Sequence, residues 1–264
     1  RARTLRPDDR EVQLALGRAL ERAGQAGPAL EQLAPLVAIW QAEAAPRLGW
    51  LTRRCGLLAL EVGERERAVE LLELARVHLQ QDKARLDVSE RLYKLLVDLG
   101  RARDEPRWTT RASQLAREIA ESLGEGEASL PWLERAARLA GDEHERNELY
   151  ARAHALRPDD DRIADAYEAS LRALDDRPRL VALLRARIQA GQQGGDRART
   201  VAQLERLLAL LTKPSAAGEP GSEASMLLRE RASLLEQLLR VAPDRIEARL
   251  ELAELRLLEG DREA

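Results

Sequence analysis

The chain has 264 residues, with 43 basic and 46 acidic side chains and a net charge of −3. This balance excludes the strongly basic field of a general nucleic-acid binder. The single cysteine, Cys55, excludes an internal disulfide and a metal site built from several cysteines. Aromatic residues make up 3% of the chain and Phe is absent, whereas Ala, Leu, Glu and Arg dominate. Because these residues lose little entropy in a helix and sheets favour β-branched and aromatic ones, we predict an all-α fold.

Helix-favouring segments bounded by Gly, Pro and Asp follow one another along the whole chain. In chain order the predicted helices cover 10–23, 27–42, 47–62, 65–80, 85–99, 105–122, 128–140, 142–156, 160–174, 177–190, 196–212, 223–241 and 244–259. The segment 212–225, TKPSAAGEPGSEAS, contains two Pro and two Gly, and we predict a flexible loop there. We expect residues 1–264 to form one helical-repeat domain, cut from a longer protein because the chain starts without Met.

Internal repeats mark the helix boundaries. The string LRPDD occurs at 5–9 and again at 156–160, and a related VAPDR occurs at 241–245. Pro cannot continue the helix that precedes it, and the following Asp can cap the next helix. Gly24, Gly63, Gly100 and Gly141 lie between these marks at spacings of 39, 37 and 41, and we predict a turn at each. A helix–turn–helix unit that recurs at this length indicates a stacked solenoid.

Two of the predicted units share a finer pattern, in which small residues flank a turn glycine at spacings of 7 and 5. The residues concerned are Gly17, Gly24 and Ala29, and then Gly56, Gly63 and Ala68. Small residues where two paired helices cross, with Gly at the turn, resemble the tetratricopeptide repeat (TPR). The resemblance implies a right-handed α–α superhelix, a TPR-like solenoid of roughly six helix–turn–helix units with partial units at both ends. Units of about 37–42 residues make the repeats degenerate, and HEAT-like helical repeats stay open as an alternative.

No motif in the sequence predicts catalysis, a cofactor or a metal. His78, His144 and His154 do not form the HExxH pair that places two ligands on one helix face. The acidic run 159–161 lacks the central Gly and terminal Glu of a calcium loop, so it is interpreted as a capped helix start. We therefore expect a protein that is not an enzyme, with no cofactor and no metal.

The TPR resemblance implies that the first helix of each pair lines a concave groove, and this groove is the predicted binding site. Its candidate partner-binding residues are Arg18, Arg22, Trp50, Arg53, Leu57, Lys94, Arg135, Arg138 and Arg172. Trp and Arg are enriched where interfaces concentrate their binding energy, so Trp50, Arg53 and Leu57 are the predicted anchor. The competing interpretation makes Trp50 a packing residue and the charged side chains a solvated surface. The only Asn, Asn147, lies on a predicted second helix, which argues against a chaperone carboxylate clamp.

These features favour an interaction scaffold or adaptor that presents its groove to a protein or peptide, acidic or mixed in charge. The alternative is the regulatory arm of a larger enzyme, such as a kinase or glycosyltransferase. An RNA-reading repeat is disfavoured because basic net charge and paired base-reading side chains are missing, so no nucleic-acid partner is expected. No apolar run is long enough to insert in a membrane. The Arg-rich, Lys-poor composition favours a bacterial source. We expect a soluble fragment located in the cytoplasm or the periplasm. The sequence does not indicate the oligomeric state.

Overall fold

The computed structural model describes residues 10–211 and 223–260, and every regular element within these ranges is an α-helix. The chain divides into two compact units, Arg1–Ala164 and Asp165–Ala264. The prediction of a single domain over 1–264 stays a prediction. The first LRPDD string and most of the predicted loop at 212–225 lie outside the described residues, and 223–225 already belong to a helix.

Unit 1 consists of helices that each pack against the next one in the chain. They are α1 (Arg10–Arg22), α2 (Ala26–Ala42), α3 (Leu48–Val62), α4 (Arg65–His78), α5 (Asp82–Arg103), α6 (Pro106–Leu123), α7 (Leu130–Leu139) and α8 (Glu143–Leu156). Short turns join neighbouring helices, so each consecutive pair forms an antiparallel hairpin. A ninth helix, α9 (Asp161–Ala173), starts in unit 1 and continues into unit 2. The predicted all-α helical-repeat solenoid is confirmed for the described residues.

Close approach of paired helices depends on glycine at two equivalent places. A Cβ added to Gly17 would lie 2.5 Å from the Leu33 side chain, and one added to Gly56 would lie 2.8 Å from the Leu72 side chain. Any larger residue would therefore push α1 from α2, or α3 from α4. Gly24 and Gly63 hold the intervening turns at φ +71° and +89°, where residues with a Cβ are strained. Close approach at both predicted glycines is thus found, with a leucine opposite each one, and the predicted small partners Ala29 and Ala68 are buried.

Gly100 is not a turn residue, which corrects the prediction. It lies inside α5, which runs on to Arg103, and the turn is made by Asp104 at φ +53°. Gly100 instead allows close contact with α6, because a Cβ there would meet Thr109 at 2.8 Å. A glycine in a helical pattern serves a turn or a close approach equally well, and spacing alone does not distinguish them.

Unit 2 repeats the same construction. After α9 it contains α10 (Arg177–Gly194), α11 (Arg197–Leu210), α12 (Glu223–Val241) and α13 (Ile246–Gly260), and from α10 onward each helix packs on the next. The side chains of Asp176 and Asp196 cap α10 and α11 by accepting hydrogen bonds from the third backbone N–H of each helix. Gly191 faces Thr200 in unit 2 as Gly100 faces Thr109 in unit 1.

Candidate partner-binding face

Ion pairs and ring contacts connect successive odd-numbered helices in unit 1, namely α1 with α3, α3 with α5, and α5 with α7. We call the side chains that make or border these contacts the odd-helix face. They are Arg18, Glu21, Arg22, Trp50, Arg53, Arg54, Leu57, Asp87, Tyr93, Lys94, Arg101, Trp132, Glu134, Arg135 and Arg138. Eight of the nine candidate residues named above from sequence belong to this face, and the ninth, Arg172, lies on α9 in unit 2.

Trp50 is half-buried and lies against two guanidinium groups. The Cζ atom of Arg18 is 4.7 Å from the Trp50 ring centroid, and that of Arg54 is 5.0 Å from it. Arg54 also donates from Nε to Oε2 of Glu21 at 2.6 Å, which joins α3 to α1. Each exposed cation–π contact contributes roughly 0.5–1 kcal/mol, so the two guanidinium groups favour this position of the indole.

Arg53 and Leu57 follow this tryptophan on α3. Nη2 of Arg53 donates to Oδ2 of Asp87 on α5 at 2.7 Å, with both side chains about one-third exposed at 35% and 38%. Arg53 therefore already has a carboxylate partner within the chain, whereas Arg18 forms no ion pair with any described residue. Leu57 is half-buried one turn beyond Arg53 and supplies an apolar border.

A second aromatic contact joins α5 to α7. The rings of Tyr93 and Trp132 meet edge to face, with centroids 5.3 Å apart and planes at 87°. The Cζ atom of Arg135 lies 4.2 Å from the Trp132 centroid and 5.7 Å from that of Tyr93. Helical phase had selected Arg135 but missed both rings. The scarcity of aromatic residues, four Trp and three Tyr in the chain, was the signal that could have pointed to them.

The other predicted site residues have different surroundings. Arg138 lies 3.2 Å from Glu134 on its own helix. Arg172 belongs to unit 2, where its guanidinium lies 2.5 Å from the buried Glu168. Arg22 and Lys94 are exposed, and neither forms an ion pair within the described ranges. The structure thus brings Arg18 to Trp50 and leaves Arg22 and Lys94 as cations open to a partner.

The reactive side chains of unit 1 offer little chemistry. Burial raises the pKa of Cys55 to about 12, against smaller effects of the opposite sign from Arg67 and Arg54, so the thiol stays protonated at neutral pH. In the part of the chain that the structure describes, no three His, Cys, Asp or Glu side chains are grouped to hold a metal ion. What the odd-helix face presents is a surface of aromatic rings and guanidinium groups, which suits binding.

No family model matches the chain. No curated protein matches it either. Among solved structures it is similar to a TPR repeats protein from Bacteroides fragilis, at 12% identity and a TM-score of 0.37 over 94% of this chain and 98% of that one. It is also similar to a thermophilic TPR protein of Thermus thermophilus, at 16% identity and a TM-score of 0.27 over 95% and 100%.

A third similar structure is that of Naa15/Naa10 bound to HypK, at 17% identity and a TM-score of 0.40 over 98% of this chain and 42% of that one. At these scores we infer nothing from the three likenesses about partners or activity. Of the helices in the described residues, none combines the length and apolar character that crossing a membrane requires.

Proposed function

We propose that the chain is a helical-repeat scaffold that binds a protein or peptide on the odd-helix face of unit 1, with Trp50 as the central anchor. The observation that carries this proposal is the half-buried indole of Trp50, fixed by guanidinium groups from α1 and α3. Aromatic and Arg side chains dominate the energetic centres of interfaces. A side chain that is already ordered loses less entropy on binding, so more of its contact energy is expressed as affinity.

The charges around Trp50 favour a partner that carries acidic groups. Arg18 stacks on the ring and has no ion-pair partner in the described ranges, and Arg22 is exposed one turn further along α1. A stacked guanidinium keeps N–H donors at its edge, and these can pair with a carboxylate in a bidentate manner. Leu57, seven residues further along α3, adds a half-buried apolar side chain.

Selection of a random peptide library displayed on phage, with the whole 264-residue chain as target, tests the proposal. We expect selected peptides to lose about thirtyfold in affinity, or roughly 2 kcal/mol, on Trp50→Ala. Trp108→Ala is the matched control, since Trp108 is also half-buried and carries the guanidinium of Arg107 at 4.3 Å, but lies on α6. Selected peptides that bind all three proteins equally, or a selection that returns none, would contradict the proposal.

A further inference from the structure

We infer that the odd-helix face carries a second anchor, the α5–α7 cluster of Tyr93, Trp132 and Arg135, which binds a carboxylate side chain of an extended acidic polypeptide. The inference rests on the proposed function and specifies its partner. It names a place on the face that is separate from Trp50 and a chemical class that this place recognises.

The geometry of the cluster fixes one guanidinium and leaves its edge open. Trp132 is 6% exposed and Tyr93 is half-buried, so the two rings form a rigid platform. Arg135 lies over this platform and is itself exposed, without an ion pair to any residue in 10–211 or 223–260. Stacking orients the planar group while its N–H donors remain available, which is the arrangement that suits a carboxylate.

Three guanidinium groups act on the Tyr93 side of the cluster. Burial raises the pKa of Tyr93, and the guanidinium groups of Arg135, Arg138 and Arg101 oppose that rise. An anion beside the Tyr93 ring therefore meets the field of three arginines.

The nearest carboxylate of α7 does not cancel that field. Glu134 is held by a bidentate pair with Arg162, at 2.7 and 2.8 Å, and by Arg138. On α5, the acidic residues Glu90 and Asp98 lie within four residues of Lys94 and Arg101. The cluster thus keeps a surplus of positive charge for a ligand to neutralise.

The same face already contains an internal example of the contact that we infer. Between the two aromatic sites, Arg53 of α3 holds the carboxylate of Asp87 on α5 at 2.7 Å. Arg18 and Arg135 occupy comparable positions on this face, each over an aromatic ring, but neither forms an ion pair with a carboxylate among the residues that the structure describes. An extended acidic segment would supply one to each.

Fluorescence anisotropy with two labelled 12-residue peptides tests the inference, using (Glu-Ala)6 and the uncharged (Gln-Ala)6. We expect the parent chain to bind only the glutamate peptide, with affinity that falls as salt screens the charges. Arg135→Gln should weaken that binding about fivefold or more. Arg135→Lys keeps the positive charge but loses the bidentate guanidinium, so its affinity should lie between those of the parent and Arg135→Gln. Arg107→Gln removes a stacked arginine from α6 and should leave binding unchanged.

Three outcomes would each overturn the inference: equal binding of the two peptides, no binding of the glutamate peptide at concentrations up to about 1 mM, or an unaffected Arg135→Gln variant. A thermal melt shows whether a variant is folded, and because Arg135 is exposed we expect its melting point to stay near that of the parent. Failure of this inference can be distinguished from failure of the proposed function. Library peptides that depend on Trp50 but not on Arg135 would leave the scaffold standing and remove the second anchor.

Discussion

The guanidinium of Arg18, on α1, lies over the indole of Trp50, on α3, with 4.7 Å between Arg18 Cζ and the ring centroid. The two helices belong to successive hairpins, so this contact links one repeat to the next. It also places a cation and an aromatic ring side by side on a surface that is open to solvent. We therefore expect the pair to contribute to stability, and under the proposed function also to recognition.

A double-mutant cycle on this pair should give a small coupling energy. Arg18→Gln and Trp50→Ala, alone and together, are expected to be non-additive by about 0.5–1 kcal/mol, because a cation–π contact is lost once and not twice. Urea unfolding of the four proteins measures the coupling. Arg22→Gln replaces a neighbouring exposed arginine as the control and should be additive with Trp50→Ala. A coupling energy of zero between Arg18→Gln and Trp50→Ala would show that the contact does not contribute to stability.

Gly56→Ala should destabilise unit 1 by about 1–3 kcal/mol, because the new Cβ would lie 2.8 Å from Leu72 Cδ2. Combining it with Leu72→Ala should cost less than the sum of the two changes, since the smaller partner makes room. Gly141→Ala is the control, as a Cβ there meets nothing within 4 Å and its φ is not positive. Thermal melts compare the parent with these four variants. Additive costs for Gly56→Ala and Leu72→Ala would refute the close contact.

Acid should destabilise both units through two carboxylates. Burial acts to raise the pKa of Glu118 and of Asp165, but the guanidinium groups beside them outweigh it and hold each pKa below its ordinary value. Stability from these groups is fully present above their unfolded pKa values, near 4, and is lost as pH falls through the folded ones. Urea unfolding from about pH 6 to pH 2 should show this decline.

Asp165→Asn and Glu118→Gln should each make that acid decline shallower. The neutral side chain titrates in neither state, so its share of the pH dependence disappears. Glu127→Gln serves as the control, since the side chain of Glu127 is 75% exposed. Acid limbs that are identical in all variants would contradict this assignment.

Unit 2 contains a buried carboxylate whose removal should be costly. The Glu168 side chain is 1% exposed and accepts from Nη1 of Arg187, itself 4% exposed, at 3.0 Å. The nearby Arg172 contributes a charge contact with Oε1 and not an aligned hydrogen bond. Glu168→Leu should cost up to about 3 kcal/mol, because Arg187 keeps its charge in the interior, where Asp165 still accepts from its Nη1 at 2.7 Å. The double variant with Arg187→Met should recover part of that loss, as measured by chemical denaturation. A double variant no more stable than the single one would contradict this.

Cys55 should report opening of the α3–α4 hairpin. It is 0% exposed and its pKa is about 12, so a thiol reagent such as DTNB should react slowly with the native protein at about pH 8. Reaction requires local or global opening, and Gly56→Ala should accelerate it. The measurement is the labelling rate relative to that in denaturant. A native rate close to the denatured one would show that Cys55 is accessible.

Helix positions were predictable because their signals are local. The predicted segment 223–241 coincides with α12, and 65–80 differs from α4 by two residues at one end. Pro, Gly and capping Asp act within a turn of the boundary they set, so one sequence suffices to find them. Gly100 was misread because its role depends on Thr109 in the next helix.

The candidate site was predictable only in part, for a related reason. Helical phase placed Trp50 and Arg135 on the exposed side of their helices, since phase is a local property. It could not show that Asp87 would form an ion pair with Arg53, 34 positions away. Nor could it show that the rings of Tyr93 and Trp132, 39 positions apart, would be in contact. Such pairs depend on how hairpins stack, which no single helix encodes.

The glycine-dependent crossing occurs at equivalent positions of the first two hairpins, which therefore have the same repeat length. The equivalent residues, each 39 positions apart, are Gly17 and Gly56, Gly24 and Gly63, and Leu33 and Leu72. Excision or duplication of 39 residues between any such pair rejoins a glycine to its own leucine without disturbing helix phase. Unequal recombination could therefore lengthen or shorten this part of the chain by whole hairpins, with the partner-facing side chains free to diverge afterwards.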